Sequence, residues 1–168
     1  MPATAFERAS AAGLKLRPAQ PGDTAFLSRL YASTRIDELV VVPWSAEQKR
    51  AFLAQQFVAR NSYYESHYPK AQKWIVEHGE TAAGCLHVGA GEHEIIVIDI
   101  ALLPEARGKG FGTALLRDVI EAAHAQGHAV GIHVERMNPA LALYHWLGFR
   151  LVEDMGVYLR LRCGNEPA

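Results

Sequence analysis

A chain of 168 residues is the size of one domain, which makes a single hydrophobic core the expectation. Hydrophobic residues make up 49% of it and charged ones 21%, a balance that excludes a disordered or fibrous chain. Basic and acidic residues nearly cancel, and the formal net charge of −1 removes any general attraction to nucleic acid or to an anionic membrane.

Residues 1–12 read as a loose leader. A short strand over Leu14 to Arg17 is stopped by Pro18, and Asp23 stands where it would cap a helix burying Phe26, Leu27, Leu30 and Tyr31. A second helix begins after Ser45, where Gln48 completes a capping box, and runs to about Arg60 with Phe52, Leu53 and Phe57 inside. Lys73 to His78 and Ala82 to Val88, joined at Gly79-Glu80, predict a hairpin. The run EIIVIDIALL, Glu94 to Leu103, predicts a strand buried on both faces.

A helix follows from about Gly110 to Gln126. It buries Leu115, Val119, Ala122 and Ala123, exposes Arg117, Asp118, Glu121 and His124, and stops at Gly127. Ala129 to Glu135 alternates, with Val130, Ile132 and Val134 on one face and His133 and Glu135 on the other. Asn138 and Pro139 start a further helix that leaves at Gly148. A last strand, Val157 to Arg162, turns Val157, Leu159 and Leu161 inward, and the tail beyond it frays. The order β-α-α-β-β-β-α-β-α-β predicts one mixed α/β domain, three layers around a central sheet, with an ordered core over about 14–162.

The N-terminal stretch MPATAFERASAAGLKLRP lacks the apolar segment that export requires, and no run is long enough to span a bilayer, so cytoplasmic residence is expected. Cys85 and Cys163 lie far apart with no metal or redox spacing and read as free thiols. Eight histidines without paired ligand spacing give no reason to expect a metal.

LLPEARGKGFGTALL carries the strongest chemical signal. A strand runs through a glycine-rich turn straight into a helix, whose first amides have no internal partner and point at any anion lodged there. Arg107 and Lys109 add positive charge. A dinucleotide fingerprint fails, because Thr113 or Leu115 stands where a glycine or small residue is needed. A triphosphate loop fails as well, because Lys109 is followed by Gly110.

What remains, Arg107-x-x-Gly110-x-Gly112, resembles the pyrophosphate-binding signature of the GNAT superfamily of N-acetyltransferases. The run NPALALYHWLGF, residues 138–149, is similar to the later motif of that family, an asparagine-capped helix that carries a tyrosine and ends in Gly-Phe. The resemblance extends from about Leu14 to Arg162. It implies acetyl-CoA as co-substrate, with no metal, and transfer of the acetyl group to a small-molecule or peptide amine.

The same resemblance implies roles for individual residues. The main chain at Ile100, Ala101 and Leu102 would hold the pantetheine arm and polarise the carbonyl. Arg107, Gly108, Lys109, Gly110, Phe111, Gly112 and Thr113 would hold the pyrophosphate, Asn138 would help hold the coenzyme, and Tyr144 would sit beside the sulfur as acid. For the base, Asp99 comes first, because an acid inside an apolar strand is costly unless it is hydrogen-bonded, exposed in a cleft or used. Glu94 is the second candidate and a water chain the third. Arg35, Asp37, Glu38 and Trp44 are candidates for acceptor recognition, Trp44 by stacking on a cation, and His67 and His133 are further candidates to line the cleft.

Two other readings stay open at this stage: a non-catalytic acyl-CoA-binding sensor, and an acyltransferase with another acyl donor. A homodimer is compatible with the chain, dimers being common among symmetric assemblies. Nucleic acid and membrane are not expected partners.

Overall fold

The computed structural model describes residues 6–164. In chain order the elements are α1 (Glu7–Ala11), β1 (Leu14–Pro18), α2 (Thr24–Arg35), α3 (Ala46–His67), β2 (Gln72–His78), β3 (Thr81–Ala90), β4 (Glu94–Leu102), α4 (Phe111–Ala125), β5 (Ala129–Glu135), α5 (Leu141–Trp146), β6 (Arg150–Asp154) and β7 (Tyr158–Cys163). The seven strands form one sheet in the order β1-β2-β3-β4-β5-β7-β6. Every neighbouring pair is antiparallel except β4 and β5. Helices α1 and α4 pack on one face and α2 and α3 on the other.

The main core lies under α4. Leu115, Leu116 and Val119 meet Trp74, Val76, Leu86, Val97, Val130, Ile132 and Leu161, and Phe149 closes the end beside α5. The alternation seen in β5 holds, with Val130, Ile132 and Val134 buried and His133 exposed. The hairpin of β2 and β3 turns at Gly79-Glu80 as expected, and its register shifts by one residue between Val76 and Glu77. Ser45 caps α3 through the expected box: its hydroxyl accepts from Gln48 N, and Gln48 accepts from Ser45 N. At Gly84 β3 approaches β4 so closely that a Cβ would lie 2.3 Å from the Ala101 carbonyl oxygen.

The expected order of elements is present, with one helix added before it and one strand inserted. Helix α1 falls within the segment read as a leader. Its first amides, Arg8 N and Ala9 N, donate to the Asp118 carboxylate at 3.1 and 2.9 Å. Asp118 is therefore buried, contrary to its expected place on the polar side of α4. Strand β6 was unforeseen because all five of its residues are exposed and carry no inward period. Asp23 does not cap α2. Its carboxylate is drawn instead to Arg17 at 2.8 Å and to Gln20 N at 2.7 Å.

Helix α3 runs a further two turns past Arg60. Helix α5 starts at Leu141, because Asn138 Oδ1 accepts from Ala140 N and makes a turn there in place of a cap. Val157 is exposed, since β7 begins only at Tyr158.

Candidate active site

Strands β4 and β5 are paired only from Glu94–Ala129 to Val97–Ile132. Past that point β5 follows β7 as far as Glu135–Tyr158, whereas β4 stays with β3 to Gly84–Leu102. The two strands diverge into a V, and the edge of β4 from Ile98 to Leu102 loses its strand partner on that side. This is why the apolar run is not buried on both faces as expected: Ile95 and Val97 are buried, and the residues beyond them are half-buried.

A bulge re-aims the second half of β4. His87 pairs with Asp99 and Val88 with Val97, so Ile98 is an extra residue. Ile95 and Val97 face α4 before the bulge, and Ile100 and Leu102 face it afterwards. Asp99 and Ala101 consequently point to the α2–α3 face, beside His87 and Cys85.

At the foot of the V the chain turns through Pro104–Ala106 and Arg107 to Gly110 into α4. Gly108 and Gly110 have φ of +70° and +81°, a conformation that costs other residues about 1–2 kcal/mol. No atom lies within 4 Å of a Cβ built at either glycine, which leaves open space in front of the turn. Among the described residues, none of the amides of Gly108 to Thr113 donates to a main-chain acceptor outside the helix, and the first bond into α4 is Ala114 N to Gly110 O at 3.0 Å. These free N–H groups, with the positive end of the helix dipole, fit a bulky phosphate. Lys109 is exposed at the turn. Arg107 is engaged otherwise: Nε donates to Leu102 O at 2.9 Å and Nη2 to Ser33 O at 3.5 Å, bracing the turn against β4 and α2.

Tyr144 is buried against Phe149, ring to edge at 5.8 Å. Burial, joined by the charge of Asp99, pushes its phenol up to about 12, so it stays protonated across the neutral range. On the other face a cavity lies between α2, α3 and the sheet, lined by Tyr31, Arg60, Tyr64, Lys73, His87 and Asp99 among others. Asp99 pairs with Arg60, whose guanidinium lies 4.7 Å from the Tyr31 ring centre and 5.3 Å from that of Tyr64. The Cys85 thiol is 3.6 Å from the Asp99 carboxylate, and burial holds it well above its ordinary range.

The remaining candidates are dispersed. Glu94 lies at the paired end of β4, held by Arg160 at 2.9 Å with Arg162 at 4.0 Å, and is separated from the V. Arg35 bridges Glu135 at 2.7 Å and Glu38 at 3.1 Å, joining the end of α2 to the far end of β5. Asp37 is exposed. Trp44 packs edge-on to Phe52 at 5.3 Å and lines a separate shallow groove with Gln48 and Gln55. His67 stacks on Tyr63 at the end of α3. Asn138 is exposed beside α5.

Arg60 was missed by sequence reasoning, although a signal was present. Leu53, Phe57, Arg60 and Tyr64 follow one another at helical spacing, which puts a cation on the buried stripe of α3.

A mixed sheet opened between two parallel strands, with a bare helix N-terminus at its foot, is an arrangement that fits a phosphate-bearing ligand. Residues 23–149 match the Acetyltransferase (GNAT) family. The chain belongs to that family. Among curated proteins no sequence matches it. Solved structures share the fold at low identity. The PaiA N-acetyltransferase of Thermoplasma acidophilum, in complex with coenzyme A, superposes with a TM-score of 0.69 at 14% identity, over 90% of this chain and 99% of that one. A GNAT family acetyltransferase of Elizabethkingia anophelis with acetyl-CoA bound gives 0.59 at 17%, over 90% and 97%. Spermidine N-acetyltransferase of Vibrio cholerae, in complex with CoA and spermine, gives 0.60 at 20%, over 90% and 94%. No helix among the described residues is long and apolar enough to cross a membrane.

Proposed function

We propose that this chain transfers the acetyl group of acetyl-CoA directly to a primary amine of a small molecule or peptide. The observation that carries the reading is the V between β4 and β5, standing directly above the free amides of Gly108 to Thr113. Those amides hold the pyrophosphate, with Lys109 supplying charge, and the freed edge of β4 at Ile100 to Leu102 aligns the thioester and donates to its carbonyl oxygen. Acetyl-CoA supplies the activated acyl group. Asp99, held in place by Arg60, takes the proton of the attacking amine directly or through water. As the carbon–nitrogen bond forms and the carbon–sulfur bond breaks, charge builds on sulfur, and the Tyr144 hydroxyl donates a proton to it. That hydroxyl has no hydrogen-bond partner among the described residues.

Acetyl-CoA in large excess over its dissociation constant is expected to raise the melting temperature, by the equivalent of about 2.7 kcal/mol at a hundredfold excess. Gly110→Val, which places a β-branched residue at φ +81°, is expected to abolish that shift. A wild-type protein whose melting is unchanged by saturating acetyl-CoA would refute the reading.

A further inference from the structure

Three polar side chains form one row across the sheet on its α2–α3 face. Lys73 of β2 stands opposite His87 of β3, and His87 opposite Asp99 of β4, so the row runs inward from the freed edge of β4. Arg60 of α3 reaches down to it, with one amino group on the Asp99 carboxylate and its guanidinium against the rings of Tyr31 and Tyr64. All six side chains line the same cavity.

Much of the hydrogen-bonding capacity of this row is unspent. Arg60 Nε and His87 Nδ1 are buried and have no partner among the described residues. Lys73 is half-buried and makes no hydrogen bond or ion pair among them. Buried donors left without an acceptor are costly, and so is an ammonium drawn out of water without a counter-charge. Asp99 is the one carboxylate lining the cavity, and Arg60 already offsets it, which leaves the charge of Lys73 in surplus. Glu38, just past α2, and Glu135, at the end of β5, are both held by Arg35. His87, kept neutral by burial, has an N–H of its own to offer.

We infer that the acceptor is a small amino acid, whose carboxylate lies among Arg60, Lys73 and His87 while its amine stands beside Asp99 at the edge of β4. The inference rests on the acetyl transfer proposed above and names its substrate class. Neighbouring strands lie about 4.8 Å apart, so the cationic part of the row is about 5–10 Å from Asp99, a distance spanned by an amine and a carboxylate a few carbons apart. The planar fork of Arg60 serves both ends, holding Asp99 through one amino group and presenting its Nε edge to the second carboxylate. A polyamine is disfavoured, because its next ammonium would enter beside Lys73 and Arg60 with no carboxylate left to meet it. Leu27, Leu30 and Phe57 make the helix wall of the cavity apolar and offer the main chain of a peptide no hydrogen bonds.

The test is thiol release from acetyl-CoA with the common α-amino acids, β-alanine and 4-aminobutanoate, with the corresponding amides, and with propylamine and spermidine. The best of the acids is expected to exceed its own amide in kcat/KM by about 10²-fold or more, because the amide leaves the buried cations unpaired. Propylamine and spermidine are expected to be as poor as the amides. Lys73→Met is expected to raise KM for the best acid about 10-fold and to leave the amides unchanged. Preference for an amide or for spermidine, turnover of none of the acids, or an effect of Lys73→Met shared equally by acids and amides overturns the inference. Each of those results leaves the melting shift with acetyl-CoA in place, whereas absence of that shift strikes the acetyl-transfer reading itself.

Discussion

His87 shows what the interior of the site requires of a single side chain. It is buried between Tyr64 and the sheet, and its Nδ1 has no hydrogen-bond partner among the described residues. Burial, helped by the nearby charges of Lys73 and Arg60, holds its imidazole down at about 4. An unfolded histidine binds its proton near pH 6.5. Between these values the unfolded chain takes up a proton that the folded one refuses, so stability is present above about pH 6.5 and is lost as the pH falls toward about 4. Urea unfolding at about pH 7 and about pH 5 is expected to show a drop of about 2 kcal/mol that His87→Gln largely removes. Equal acid losses in both proteins would count against this account.

At the same scale the two proposed proton-transfer residues are separable. Tyr144→Phe removes only an oxygen from a buried ring, and coenzyme binding is expected to survive while kcat falls about 10²-fold or more. Asp99→Asn leaves Arg60 without its counter-charge, so its effect is expected on both kcat and thermal stability. Thiol release measured over a panel of amines, beside acetyl-CoA binding, distinguishes the two. Unchanged turnover in the Phe variant would remove Tyr144 from the mechanism.

Elements whose hydrogen bonds and burial are local were legible in the sequence. The α3 cap, the β2–β3 hairpin and β5 each carry their period or their turn within a few residues, and the glycine turn announced itself by standing between a strand and a helix. Elements completed from far away were not. Helix α1 is five residues long, and its N-terminal donors are satisfied by Asp118, 110 residues from Arg8. Strand β6 is exposed throughout, and its bulge breaks the alternation by which a strand is recognised.

Within the candidate site the signature turn and Tyr144 could be named from the resemblance to the two GNAT motifs. The pairing of Arg60 with Asp99 could not, because the bulge at Ile98 decides which face Asp99 joins. Asp118→Ala tests the long-range cap. Two amides of α1 lose their acceptor, one of them at Ala9, which is wholly buried. A loss of about 2–4 kcal/mol is expected in chemical denaturation. A neutral result would mean that α1 contributes little to the fold.

Across the whole molecule the sheet divides the work between its two faces. The α4 face holds most of the apolar core and the glycine turn, while the α2–α3 face holds the polar cavity with Arg60, His87 and Asp99. The V is the passage between them, and the Arg107 guanidinium joins its foot to both β4 and α2.

The width of that passage is governed from behind. At Gly84 there is no room for even one methyl carbon against the Ala101 carbonyl, so β4 can settle deep against β3 and lean away from β5. The gap between β4 and β5 is thus shaped by an atom missing from the strand on the other side of β4.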